Sequence, residues 1–261
     1  LSTTLVYMAS GLTMFLLPPV PGMPVYLCGG LIICPRAEAE FQNFWVGALY
    51  ASAIAFVVKL LAIAMQQKII GGQLGHLVSV RRFVQINSDT MKAIKLILQV
   101  PGMNADKVTI LVGGPDWPTS VLTGIMRLSV FQMLLGSLPH AFPIALIVTA
   151  GGMLVKGGGE GGFYLALSNV LVAVATLIYP VLFVLAVIRI GDTATQRKTD
   201  LEQIVDDEEV EAHHLVTSIL SDNFDGMRVS SEIKESFLNY PYPNSNIINL
   251  NTKDTNNEIK H

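Results

Sequence analysis

Asn104, Asp106 and Lys107 follow directly on a Pro101-Gly102 step inside an otherwise apolar stretch. Proline and glycine stop a helix there, so nearby backbone groups lose their intrahelical partners. An acid and a base are then left at the tip, either as binding groups or as a solvated loop pair. Arg81 and Arg82 stand among Leu77, Val78, Val80, Phe83 and Val84. That pattern suits an amphipathic helix at a membrane surface, its arginines facing phosphates; the plainer alternative is a connecting loop. Lys59 is the one charge in a long apolar run and lies near its Lys68 end. A lysine so placed more often snorkels to the headgroups than lines a pathway. Asp106 is taken as the only carboxylate near either helix break, so ion or proton coupling would rest on it.

Covalent chemistry finds little support. There is no nucleophile elbow, phosphate-binding glycine loop or zinc spacing, so no enzyme and no cofactor are expected. The glycine run 157–159 with Glu160, Gly161 and Gly162 lacks the lysine of a phosphate loop and reads as a flexible connection. His213 and His214 lie beside acids, but a metal needs more ligands. Cys28 and Cys34 sit in an apolar run without metal spacing and suit packing or lipid-facing roles.

The elements that must position these residues are membrane elements. The chain has 261 residues, 51% hydrophobic and only 14% charged, with a mean hydropathy of +0.50. Soluble domains carry about 25% charged residues, so the solvent here is lipid. Charge is divided: after Ile190 there are 14 acidic and 6 basic side chains, and up to it 6 acidic and 11 basic. A basic membrane domain, 1–190, therefore precedes an acidic tail, 191–261, expected to hold a short helix between Asp200 and Leu220 and to be disordered from about Asn239. The start at Leu1, already apolar, reads as a fragment or a processed product.

Residues 5–34 are apolar but interrupted by Pro18, Pro19, Pro21, Gly22 and Pro24. Four prolines in seven residues end a helix, leaving a re-entrant hairpin or a broken helix, or else two interfacial helices with a loop. Residues 44–65 form the cleanest spanning helix. Residues 91–112 repeat the first pattern: two arms too short to span flank Pro101-Gly102. Paired interrupted segments point to a transport site. Trp117-Pro118 opens a helix running past Arg127 and Phe131 to Gly136, and Pro139 and Pro143 then kink or break the apolar run that continues to Leu154. The last span covers 163–190, and Arg189, Arg197 and Lys198 beside it put the tail in the cytosol. The expected class is all-α: a polytopic integral membrane protein with two Pro-Gly-broken re-entrant hairpins plus spanning helices.

The stretch PPVPGMPVYLCGGLIICP resembles the first hairpin of the VTT domain, shared by bacterial DedA proteins and eukaryotic SNARE-associated Golgi proteins. Residues 96–152 resemble its second half, on Pro101, Pro118, Phe131, Gly136 through Pro139, and Ala150-Gly151. The likeness covers about 12–154 and rests on motif order. It implies a helical bundle with two re-entrant hairpins from opposite faces, their tips meeting at mid-membrane. It also implies lipid movement: eukaryotic members scramble phospholipids, and bacterial members carry undecaprenyl phosphate or phospholipid with proton coupling. Met23, Leu98 and Asn104 depart from the bacterial pattern of a glutamate and arginines around the two breaks and fit the eukaryotic one better.

The expectation is energy-independent phospholipid scrambling in the endoplasmic reticulum or Golgi. Asn104, Asp106 and Lys107 would line the path, with Arg81 and Arg82 at its rim. The hairpin breaks are Pro19, Pro21, Gly22, Pro101 and Gly102, and the helix breaks Pro118, Gly136 and Pro139. Rival expectations are an ion- or proton-coupled transporter and a scaffold whose tail binds a trafficking partner. Expected partners are membrane phospholipids and a second copy of the chain, with no nucleic acid.

Overall fold

Proline and its neighbours set most of the boundaries. A computed structural model describes residues 2–18, 20–160, 162–213, 215, 216 and 218. Pro19, Gly161, His214 and the region from Asn239 onward, expected to be disordered, lie outside the described residues. Among those described, every regular element is helical.

Helix α1 (Ser2–Leu16) stops before Pro18, and α2 (Gly22–Phe41) starts after Pro21, whose φ of −67° and ψ of 143° are extended. Asn43 then caps α3 (Phe44–Met65), its side chain accepting from the amides of Trp45 and Val46. Satisfying two otherwise orphaned amides fixes where the helix begins. The helix does not end at Met65. It widens into a π-helical turn, Gln66–Gly71, and closes as α4 (Gly72–Leu74).

The amphipathic helix expected over 74–89 is cut to one short helix, α5 (Val78–Phe83). Its arginines do not share a surface: Arg81 is 7% exposed, while Arg82 is exposed. Six residues make fewer than two turns, and consecutive residues on a helix point about 100° apart. Ser88 caps α6 (Asp89–Gln99), and Asn104 caps α7 (Ala105–Gly113). Between them Gly102 has φ +80°, a conformation open to glycine and strained for other residues.

The helix expected from Trp117 to Gly136 is divided. Helix α8 (Asp116–Ile125) ends where Arg127 turns left-handed, with φ 56°. Helix α9 (Val130–Gly136) follows, then a 3₁₀ turn, Leu138–His140, holding Pro139, and then α10 (Ala141–Glu160). Glycines 157–159, expected to be a flexible connection, are helical within α10. A side-chain carbon at Gly157 would sit 2.9 Å from the Leu165 backbone nitrogen, so the missing side chain lets α10 and the next helix approach closely. That helix, α11 (Gly162–Gln196), carries Pro180 inside it and runs six residues beyond Ile190. Helix α12 (Lys198–Glu202) buries Leu201. The first compact unit therefore closes at Ile204, later than the composition boundary at 190.

Among the described residues, three stretches are long and apolar enough to cross a membrane: Phe44–Leu74, Leu138–Gly158 and Gly162–Gln196. The described residues thus form an all-helical body with the spans of an integral membrane protein. The larger core joins α1, α2, α3, α10 and α11 through residues such as Phe15, Tyr26, Ala51, Val148 and Ala175. In lipid, helix association rests on close van der Waals fit and not on the hydrophobic effect. Gly30 of α2 meets Gly151 of α10 in that way; a side-chain carbon on Gly30 would lie 2.9 Å from the Gly151 Cα. A smaller core gathers Ile97, Leu98, Ile110, Leu111, Met133 and Ala186. Leu49 on α3 and Phe163, Leu177 and Val181 on α11 are exposed, as side chains facing lipid are.

Candidate functional site

The first residues of α2 and α8 meet. Gly22 opens α2 and Asp116 opens α8, each directly after an extended proline. A side-chain carbon at Gly22 would overlap the Asp116 carboxylate, so the start of α2 lies directly against it. An acid at a helix start faces the positive end of the helix dipole. Here two such ends converge on one carboxylate.

Lys59 supplies its counter-ion. Its Nζ donates to Asp116 Oδ1 at 2.5 Å, with the lysine side chain 2% exposed and the aspartate 16%. The ammonium also lies 5.5 Å from the centre of the Phe15 ring, close enough for cation–π attraction. Lys59 therefore does not snorkel: its partner stands in the interior, brought there by α8.

Aromatic and titratable groups continue the cluster. Tyr26 packs on Phe15, with ring centres 5.6 Å apart, and edge-on to His140 at 6.3 Å. His140 Nε2 shares a hydrogen bond of 3.1 Å with the Tyr179 hydroxyl. The Tyr26 hydroxyl, His140 Nδ1 and Trp117 Nε1 are buried without a hydrogen-bond partner. An interior polar atom left without a partner costs about 1–3 kcal/mol, so a set of them is an unusual feature of a membrane helix bundle. Chemically, the cluster can hold a charged or strongly polar group in a low-dielectric setting. No three His, Cys, Asp or Glu side chains gather for a metal among the described residues.

The second break is held differently. Asn104 accepts the Lys107 amide at 2.8 Å and caps α7. The Lys107 side chain is fully buried. Its Nζ donates back to the Val100 carbonyl and, at 3.1 Å, to the Gly102 carbonyl. The Gly102 amide donates to Gln132 Oε1 at 2.9 Å. Gly136 lies flush on the Lys107 stem, where a side-chain carbon would come within 2.8 Å of Cδ. Lysine thus supplies a donor to two carbonyls that the break in the helix leaves without an intrahelical partner. Asp106 points elsewhere, to Arg189 of α11 at 3.4 Å, with both side chains exposed. Asp106 and Lys107 are therefore not one zwitterionic tip.

The structure brings together Asn104, Lys107, Gly102 and Gly136, and joins Pro21-Gly22 to Asp116. Pro118 sits in the first turn of α8, and Pro139 in the 3₁₀ turn. Asp106 is not the only carboxylate near a break: Asp116 follows Gly114-Pro115 and is the one against Gly22. Asp116, Tyr26, His140 and Tyr179 escaped the sequence reading. A signal existed, because Pro21-Gly22-Met23-Pro24 and Pro115-Asp116-Trp117-Pro118 share a Pro-x-x-Pro helix start.

Comparison of the chain with protein-family models, with curated proteins and with solved structures gave no match.

Proposed function

We propose that this chain moves phospholipids between the two leaflets of an endoplasmic-reticulum or Golgi membrane without an energy source, as a lipid scramblase. The observation that carries the reading is the Gly22–Lys59–Asp116 junction: two helix starts and an ion pair inside an apolar helical body. The barrier to lipid flip-flop is moving a charged headgroup through about 30 Å of hydrocarbon. Unpaired polar groups cost several kcal/mol each there. Helix ends and charges at that depth lower the barrier by offering the headgroup partners while the tails stay in lipid. In this reading the segments around Pro21-Gly22 and Pro101-Gly102 are re-entrant hairpins from opposite faces, as the resemblance to the VTT domain implies. The tail is cytosolic and outside the path, and no covalent step occurs.

Dithionite quenching of a fluorescent phosphatidylcholine tests it. Vesicles containing the purified chain should lose nearly all fluorescence, and protein-free vesicles about half. A plateau at half with folded protein in every vesicle would overturn the reading.

The same ion pair favours a second reading, ion- or proton-coupled transport, because a titratable carboxylate stands where broken helices meet. A pH jump across the vesicle wall separates the two: a scramblase keeps its rate, and a coupled carrier changes rate and direction.

A further inference from the structure

Gln66 and Gln67 are neighbours in the chain, both in the π-helical turn, and both at most 2% exposed. Burying one glutamine in an apolar body is costly unless its amide is bonded. Each donates one hydrogen bond to a different break in the helical path, while its Oε1 is buried without a partner among the described residues. Gln66 Nε2 donates to the Phe15 carbonyl at 2.6 Å. Phe15 lies in the last turn of α1, and the residue four positions on, which would donate to that carbonyl in a continued helix, is Pro19, without an N–H. Gln67 Nε2 donates to the Leu128 carbonyl at 2.8 Å. Leu128 lies in the junction between α8 and α9, just after the left-handed Arg127. The turn also touches α8 through backbone: a side-chain carbon on Gly124 would lie 2.8 Å from the Gly71 Cα.

A π-helical turn holds one more residue than an α-helical turn and is most often found at functional positions. Here the widening presents two consecutive side chains to two different neighbours. Lys59 stands seven residues, about two turns, before Gln66 and so on the same face. It reaches Asp116, the other end of α8. One helix therefore holds the end of α1 and both ends of α8.

We infer that the turn Gln66–Gly71 couples the end of α1 to the α8–α9 junction, with Gln66 and Gln67 as the positioning residues: the two places move together or not at all. This goes beyond lipid movement and holds for any cargo. A pair of separate clamps would hold each segment independently. A coupler transmits the loosening of one segment to the other.

Spin-label distances on the full chain in phosphatidylcholine nanodiscs distinguish these. With Cys28→Ser and Cys34→Ala as background, one label pair joins Thr13→Cys to Val46→Cys, and a second joins Ser129→Cys to Val46→Cys. All three labelled positions are exposed, and Val46 lies near the start of α3. Gln66→Met keeps the side-chain length and removes the donor, as does Gln67→Met. Either change should broaden both distance distributions at least twofold, including the pair on the side whose hydrogen bond is intact. If each variant broadens only the pair on its own side, or neither does, the inference is overturned. Should a Met variant fail to fold, the Asn variant, which keeps the amide but shortens its reach, is read by the same two pairs and the same criterion. Since the readout is a distance, it stands whether or not the vesicles scramble lipid.

Discussion

The Lys59 ammonium and the Asp116 carboxylate, 57 positions apart in the chain, meet at 2.5 Å across the first residue of α2. An interior ion pair is weak evidence of net stability, because desolvating two charges offsets most of their attraction. Its strength shows when one partner is removed.

Lys59→Met and Asp116→Asn should each destabilise the fold by about 3–5 kcal/mol, because each strands its partner's interior charge. The double variant Lys59→Met with Asp116→Leu should cost less than either single change. Thermal unfolding in detergent, read on all three variants, checks this. Additive losses would mean the two groups act independently.

Gly22→Ala adds a carbon where the Asp116 carboxylate already lies, and Lys59 holds that carboxylate in place. Overpacking of this kind costs about 1–3 kcal/mol. Gly102→Ala meets no neighbouring atom but must adopt φ +80°, so its cost should be conformational and nearer 1 kcal/mol. Combining Gly22→Ala with Asp116→Ala should relieve part of the first loss; an unrelieved loss would locate the clash elsewhere.

Lys107→Met should cost about 1–3 kcal/mol for each backbone carbonyl it leaves without a donor. Asp106→Ala breaks only an exposed pair with Arg189 and should stay within about 0.5–1 kcal/mol. Equal effects in an unfolding series would return the two neighbours to a single functional tip.

A chain ending at Ile204 should fold as the full chain does and, on the proposed function, match it in dithionite quenching, since the first compact unit closes there. A chain ending at Ile190 should be less stable, having lost the end of α11 and the buried Leu201. Dithionite quenching and unfolding of both truncations decide it.

Local chemistry made much of the helix pattern legible. Asn43 followed by 22 mostly apolar residues specifies α3, and the Pro18–Pro24 cluster specifies the gap between α1 and α2. Asn104 as a cap and Gly102 as a turn follow from residue type alone. The features that stayed hidden depend on tertiary partners. Lys59 reads as a snorkelling lysine until Asp116 arrives from far along the chain. Glycines 157 and 158 read as flexible until Leu165 is seen against Gly157, which makes the missing side chain a packing feature. The division at Arg127 had no glycine or proline to announce it. The π-helical turn was equally silent, since Gln66 and Gln67 acquire their meaning only from carbonyls on other segments.

Helix α11 has 35 residues, a length of about 52 Å at 1.5 Å per residue, against about 30 Å of hydrocarbon in an average bilayer. It must lean steeply, bend at Pro180 or protrude, and the choice depends on how thick the surrounding bilayer is. The side of Gly113 on α7 lies against the backbone of Leu182 and Phe183, and Asp106 reaches Arg189. The lean of α11 and the placement of α7, which follows the Pro101-Gly102 break, are therefore linked by contact. A bilayer of different thickness, by changing how α11 leans, would then bear on the position of α7 as well.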